Sequence, residues 1–282
     1  MRISMRNRKL GRKRWIIPPM IIFLMVTLAV IVITALLAPV IAPIDLGASD
    51  LTQRLKMPKF KDPTSPYLFG TDNLGRDVAI RLLYATRSTI MISFTGMIIA
   101  TVTGTALGIL SGLGGKWIDA VLSFFTDVRL SIPTTFIGII FACILGAKPV
   151  TTILVMAITG WSSYCRLVRS QIFQLSRSMG ASGVKIVFEH ILVNIASPLI
   201  VQTTMELGGF ILLESTLSFL GLGIEPPGTS LGVMVSLGRD YMLTYWWLAV
   251  LPSIIIVVLI LDISLIGDWL RDRLDPKLKN AS

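Results

Sequence analysis

Apolar residues along this chain gather into repeated runs, and polar and charged residues fill the stretches between them. A helix needs roughly 20 mostly apolar residues to cross about 30 Å of hydrocarbon at about 1.5 Å per residue. Six segments meet that length: Trp15 to Leu37, Ser88 to Gly112, Ile118 to Leu145, Val150 to Leu167, Pro198 to Leu220 and Trp246 to Gly267. The pattern predicts an all-α polytopic membrane protein with six transmembrane helices. An even number of spans puts both termini on one side, and the basic tails make that side the cytoplasm. The expected division is a cytosolic basic tail over 1–14, a first span over 15–37, and an extracytoplasmic loop with an approach helix over 38–87. A five-helix core over 88–267 follows, with a cytosolic connection at about 168–197, and then a cytosolic tail over 268–282.

The polar stretches add local detail. Asp45 to Asp77 is dotted with Gly47, Pro58, Pro63, Pro66, Gly70 and Gly75, which break regular elements, so little structure is expected before Asp77. Val78 to Tyr84 is predicted as an amphipathic approach helix at the interface. Trp246 and Trp247 stand where an aromatic belt would lie. Pro133 falls inside the third span, where it removes a backbone donor and kinks the helix. The kink serves either packing or a hinge beside a pathway. Gly104, Gly108 and Gly112, spaced by four, form a small-residue face that lets two backbones approach closely.

Composition agrees with the pattern. Only 15% of residues are charged, against about 25% in a soluble domain. The net charge of +10 is no nucleic-acid signature, because the basic residues flank apolar runs. Arg2, Arg6, Arg8, Lys9, Arg12, Lys13 and Arg14 precede the first run; Arg166, Arg169, Arg177 and Lys185 fall in or beside one connection; Arg271, Arg273, Lys277 and Lys279 close the chain. This is the positive-inside distribution, with no helical or aromatic nucleic-acid reader beside it. Arg54, Lys56, Lys59, Lys61 and Arg76 in the external segment run mildly against that rule. The run from Trp15 to Leu37 exceeds the roughly 7–15 apolar residues of a signal peptide and reads as a retained first helix. Cys143 and Cys165 read as small packing residues, not a disulfide.

Catalytic patterns are absent. His190 is the only histidine, so there is no His-Glu-x-x-His pair, and no Gly-x-Ser-x-Gly elbow occurs. Around Gly114-Gly115-Lys116-Trp117 a phosphate loop would need glycine where Leu110 stands and Ser or Thr where Trp117 stands. The sequence shows no ATPase and no metal-ligand cluster.

Four blocks carry a family resemblance: Gly70-Thr71-Asp72-Asn73-Leu74-Gly75-Arg76-Asp77; Met179-Gly180-Ala181-Ser182 followed by His190-Ile191-Leu192 and Asn194; Ser218-Phe219-Leu220-Gly221-Leu222-Gly223-Ile224-Glu225-Pro226-Pro227; and Gly267-Asp268-Trp269-Leu270-Arg271-Asp272-Arg273-Leu274-Asp275-Pro276. Together, from about Ala38 to Lys277, they resemble the second permease subunit of the dipeptide, oligopeptide and nickel ABC importers. The resemblance implies the type I ABC importer permease fold in a bacterial-type inner (plasma) membrane. It implies alternating access with no covalent chemistry by this chain. The implied partners are a homologous second permease, two cytosolic ATP-binding subunits, an extracytoplasmic solute-binding protein and membrane lipid. No cofactor is expected on this chain; ATP and magnesium would sit in the partner subunits.

The resemblance also implies a short coupling helix in the connection between the fourth and fifth spans, docking on an ATPase. The positions concerned are Gln174, Ser176, Gly180, Ala181, Ser182, Lys185 and Glu189, with Phe188 beside them. This chain departs from the family pattern there. Gln174-Leu175-Ser176 replaces a usual Glu-Ala-Ala, the stretch from Arg169 to Gly180 is shorter by about two helical turns, and Val193 replaces a proline. The departure reads as a tolerated deletion or as weakened coupling.

Charges inside spans complete the sequence reading. A carboxylate at the bilayer centre costs at least ~2.5 kcal/mol and turns to the bundle interior or to water. Glu206 and Glu214 lie about 80° apart on the fifth span, so both can face one side. Asp119, Asp127 and Arg129 lie in the third span and Asp262 in the sixth. They read as interhelical pairs, for example an acid with Arg129, or as lining of a solute path. The glycine- and proline-rich stretch 221–228 opens an external loop ending near Asp240, either a solvated connection or an outer gate. The candidate pathway or gate residues are Pro133, Glu206, Glu214, Gly221 and Gly223. The alternative function is an ion-coupled secondary transporter, resting on Glu206, Glu214 and Asp262, although no internal repeat supports it. The solute, whether dipeptide, oligopeptide, nickel or a metal chelate, is not specified by the chain.

Overall fold

The computed structural model describes residues 17–179 and 192–274, and the regular elements among them are helices, with one isolated bridge between Thr71 and Asp77. In chain order they are α1 (Pro19–Leu36), α2 (Ala38–Ile41), a 3-10 turn (Leu51–Gln53), α3 (Val78–Leu113), α4 (Gly115–Ser131), α5 (Thr134–Leu145), α6 (Pro149–Met179), α7 (Leu192–Phe219), α8 (Leu231–Arg239) and α9 (Trp247–Leu274). The irregular stretch expected before Asp77 is found.

The start of α3 explains the first resemblance block. Asp77 Oδ1 accepts from the N–H groups of Ala79 (2.7 Å) and Ile80 (3.3 Å), satisfying two donors that a helix start leaves free. Asp72 Oδ1 accepts from the N–H groups of Leu74 (2.8 Å) and Arg76 (3.0 Å), while Oδ2 takes Arg76 Nε at 2.7 Å. Gly75 holds φ at +75°, and a side chain there would strike the Asp50 carbonyl. The block is therefore a knot that fixes where the helix begins.

Once begun, α3 runs unbroken for 36 residues. The separate approach helix expected at Val78 to Tyr84 is simply its first two turns. Its small-residue face packs on α6. A side chain at Gly104 would meet the Trp161 carbonyl and Tyr164 Cβ (2.6 Å); one at Gly108 would meet Val168 Cβ (2.7 Å), and one at Gly112 would meet Ile172. Gly96 sits likewise on Met156. The numbers rise together on both helices, so α3 and α6 run parallel, in register. Between α7 and α9 they run in opposition: Ser197 reaches Leu274, Gly267 packs on Thr204, and Gly208 lies beside Ile260 and Ser264. These two helices are antiparallel.

The parallel α3–α6 pair requires the chain between them to return across the bundle. That return is α4 with α5, bent by 88°. The third span was expected as one helix, Ile118 to Leu145, kinked at Pro133. Instead α4 ends at Ser131 and Pro133 is the residue preceding α5, at its N-cap, with φ of −58° and ψ of 130°. Proline fixes φ and disfavours the α conformation in Ile132 before it, so the helix stops and restarts in a new direction.

Four helices are individually long and apolar enough to cross a membrane: α1, α3, α7 from Ile195 and α9. The bent pair makes a fifth. The expected six therefore stand at four, or five with the pair, among the described residues. α6 has the length, at 31 residues, but carries Thr151, Thr152, Thr159 and Ser162. All four are buried in protein, so α6 is central and meets neighbours more than lipid.

Other boundaries moved too. The fourth span continues helically past Leu167 to Met179, and the final helix continues past Gly267 to Leu274. The loop expected from Gly221 to Asp240 contains α8, capped by Ser230 Oγ on the Val233 N–H at 3.4 Å. Trp247 is fully buried, beneath Phe60 and beside Tyr245, with Lys61 Nζ 4.8 Å over its ring, so it is a core residue and not part of an aromatic belt. Trp246 alone remains substantially exposed.

Candidate functional site

The break between α4 and α5 opens onto a half-open cavity of about 300 Å³ between the helices. Arg129, Thr134 and Thr135 line it from the two sides of the break; Thr159, Gly160 and Ser163 from α6; Glu206, Gly209, Phe210, Leu212, Leu213 and Thr216 from α7. Arg129 Nη2 donates to Thr134 Oγ1 at 2.9 Å, spanning the break at Pro133. Glu206 Oε1 accepts from Gln202 Nε2 one turn earlier, at 2.9 Å. The site thus holds one cation and one anion among hydroxyls, with Phe210, Leu212 and Leu213 as its apolar side. Such a mixture of charge, hydroxyl and apolar surface suits small polar solutes.

Glu206 and Glu214 do not share this cavity. Glu214 is wholly buried: Oε2 accepts from Thr89 Oγ1 (2.8 Å) and Oε1 from Ser218 Oγ (2.7 Å). Thr89 Oγ1 in turn accepts from the Leu231 N–H at 3.2 Å. One carboxylate therefore ties α7, α3 and the start of α8 together. Gly223 belongs to the same junction, since a side chain there would collide with Ser218. Gly221 holds φ at +78° with open space around it. Asp262 is likewise satisfied, accepting from Thr27 Oγ1 at 2.7 Å and so fastening α1 to α9. Two of the three carboxylates behind the ion-coupled alternative are thus engaged as helix fasteners.

The acids of α4 pair with α6, not with Arg129. Asp119 takes Arg169 through Nε and, at 2.7 Å, through Nη2, and also accepts from Ser111 Oγ at 2.7 Å. Asp127 takes Arg166 Nη2 at 2.8 Å. A second cavity of about 310 Å³, lined by Ser111, Ser123, Thr126, Asp127, Cys165, Arg166 and Arg169, adjoins these pairs. Cys143 and Cys165 are both free.

Of the coupling positions, Gln174 lies exposed on α6 and Ser176 is within the same helix. Gly180, Ala181, Ser182, Lys185 and Glu189 lie outside the described residues. Arg129, read from the sequence as an ion-pair partner or as lining of a solute path, does line the cavity; Thr134, Thr135, Thr159 and Ser163 are among the lining residues that the sequence did not single out. The available signal was an arginine four residues ahead of an intramembrane proline. No group of three or more metal-ligating side chains occurs among the described residues.

Comparison with known proteins agrees with this architecture. The chain is 36% identical over 264 residues to the dipeptide transport system permease protein of Haemophilus influenzae, covering 90% of each. It is 35% identical to the di/tripeptide transport system permease protein of Pseudomonas aeruginosa, covering 89% of this chain and 86% of the relative. Among solved structures, a chain of the inward-facing MetNI methionine ABC transporter superposes with a TM-score of 0.52 at 18% identity, over 69% of this chain and 96% of that one. An amino acid ABC transporter with histidines gives 0.52 at 14% identity, over 66% and 90%. These two likenesses concern the fold, which is that of the membrane subunits of type I importers. The family described as binding-protein-dependent transport system inner membrane component matches residues 104–280. With more than half the chain inside that match, and relatives above 30% identity along nearly its whole length, the protein belongs to the family of binding-protein-dependent transport system inner membrane components.

Proposed function

We propose that this chain is a permease subunit of an ATP-driven importer and forms part of the translocation path for peptides or related small solutes. The observation that carries the reading is the polar cavity at the α4–α5 break, lined by α6 together with the bent pair and α7, which are apolar enough to cross a membrane. A discontinuous helix beside a polar cavity is a recurring device of membrane carriers, because backbone freed at a break is satisfied where water or solute enters. The dipeptide and di/tripeptide names of the relatives support the solute class; nothing about this chain favours nickel.

The chain itself does no hydrolysis in this scheme and binds no cofactor; ATP and magnesium belong to two cytosolic partner subunits. A homologous second permease completes the path and an extracytoplasmic protein delivers the solute. α6 brings the number of spans to six, as the fourth in chain order, and both termini are cytoplasmic. The stretch 168–197, from the end of α6 into the start of α7, then carries the coupling contact, with Gly180, Ala181 and Ser182 at its centre and Gln174, Ser176, Lys185 and Glu189 beside them. Closure of the ATPase pair moves that contact and rocks the spans between two access states.

The test is reconstitution. The full complex in vesicles, supplied with binding protein and ATP, should accumulate labelled dialanine, and accumulation should stop with a non-hydrolysable nucleotide. Accumulation that needs only a proton gradient, in vesicles holding this chain alone, would replace the reading with a secondary transporter. Gly180→Trp should sharply reduce both uptake and transport-linked ATP hydrolysis; unchanged values would remove the coupling role.

A further inference from the structure

We infer that Arg129 and Glu206 form a transit site for a zwitterion, the arginine receiving a carboxylate and the glutamate an ammonium group of the same small solute. The inference rests on the importer reading and names the chemistry that the path recognises.

The charges exchanged between α4 and α6 set the standard for neighbours of opposite sign, whereas Glu214 and Asp262, which form no ion pair among the described residues, are held by hydroxyls. Asp119 closes on Arg169 and Asp127 on Arg166, as opposite charges within reach of one another do. Arg129 and Glu206 line one cavity, and the carboxylate is near enough to act on the guanidinium through space, yet no ion pair within 4 Å joins them. Each is held instead by a neutral neighbour: Arg129 by Thr134 across the helix break and Glu206 by Gln202 along α7. Neither neighbour compensates charge. Arg129 Nε is moreover buried with no hydrogen-bond partner.

Two charges of opposite sign, kept apart across one cavity, are matched best by a molecule bearing both complements. A simple anion on Arg129 would leave Glu206 uncompensated, and a simple cation on Glu206 would leave Arg129 so. Uncompensated charge away from water is expensive, which favours the solute that satisfies both ends. The surroundings fit the carboxylate end further. Thr134 and Thr135 belong to the first turn of α5, whose leading N–H groups receive no side-chain cap. Phe210, Leu212 and Leu213 offer apolar area to a side chain lying between the two termini. At about 300 Å³ the cavity is at the small end of ligand pockets, which run roughly 300–1,000 Å³. That suits an amino acid or a very short peptide, not a long one enclosed whole.

The experiment measures equilibrium binding of radiolabelled dialanine to the complete permease–ATPase complex in lipid nanodiscs without the solute-binding protein. Wild type should bind saturably, with competition by unlabelled dialanine but not by N-acetyl-dialanine or dialanine amide. Arg129→Gln and Glu206→Gln should each weaken binding by about tenfold or more, the loss of one charge-assisted contact. Arg129→Lys and Glu206→Asp, which keep the charges, should retain part of it, which excludes misfolding as the cause. The loss should also be selective: Glu206→Gln should lift the discrimination against the N-acetyl form, and Arg129→Gln that against the amide. Absence of saturable wild-type binding, binding that survives both neutral substitutions, or equal competition by the blocked peptides overturns the inference. The importer reading fails separately, through absence of ATP-driven uptake by the wild-type complex in vesicles.

Discussion

The two long faces of α6 are built by opposite rules. Toward α3 it meets glycines, in register over four turns, at a separation where one added methyl group collides with α6, with its backbone at Gly104 and Gly108. Toward α4, α5 and α7 it meets a broken helix, a polar cavity and two ion pairs that cross to α4. Without a hydrophobic drive between helices in lipid, close packing of small residues is what holds two spans together. The first face is therefore a fixed seam. The second has room and polar partners, which is what a path that opens and closes needs. The comparison separates residues whose loss should damage the scaffold from residues whose loss should damage only what passes through it.

The sharpest way to break the comparison is a pair of glycines. Gly104→Leu should cost about 3 kcal/mol by overpacking against backbone that cannot move aside. Gly209, on the cavity, has nothing within 4 Å, so Gly209→Leu should leave thermal unfolding in detergent almost unchanged. Equal losses from both would erase the distinction between seam and path. Next in size is Glu214→Ala, which strands the Thr89 and Ser218 hydroxyls and releases the start of α8, at about 2 kcal/mol. Glu206→Gln, by contrast, should leave the melting temperature near wild type.

The ion pairs give smaller effects. Asp119→Asn breaks a two-point contact with a partly exposed arginine, worth about 1 kcal/mol after solvent screening, and salt should weaken the wild-type advantage. Asp127→Asn removes a pair whose side chains are more than half exposed and should change stability by less than about 0.5 kcal/mol. The smallest effect lies outside the spans. Asp50 and Asp62 each accept from a threonine hydroxyl and then its N–H two residues on, which lowers both carboxyls below the ordinary 3.8. Because the folded value is the lower one, these turns support the segment above that pH and lose their contribution as pH falls through the lowered value. Protection of the Thr52 and Thr64 amides, measured as the hydrogen-exchange rate relative to the intrinsic rate at each pH, should therefore fall only below about pH 4.

What the sequence revealed, and what it hid, follows the range of the interactions. Run length placed α1, α3, α7 and α9, since a long apolar helix needs no partner to be recognised. The four-residue spacing of Gly104, Gly108 and Gly112 identified a packing face, though not that α6 would fill it. The Pro133 break was read as a kink, because whether a proline bends or stops a helix depends on whether neighbours satisfy the freed backbone. α8 was hidden behind Gly221 to Gly228, whose turn chemistry masks a nine-residue helix. The partners of Asp119 and Asp127 lie 50 and 39 residues away, and no local pattern encodes that register. The same ignorance separated Glu206 from Glu214: 80° on a helical wheel was enough to send one to a cavity and the other into a dry junction.

The unbroken length of α3 has a mechanical consequence. Thirty-six residues make a rod of about 54 Å, against about 30 Å of hydrocarbon. No proline interrupts it, and its start is knotted by Asp72 and Asp77. Such a rod acts as a lever: about 5° of tilt pivoted at Asp77 sweeps Gly114 through about 5 Å, close to one helical pitch. Because α6 is interlocked with it along the glycine face, any such tilt would carry the two as one beam.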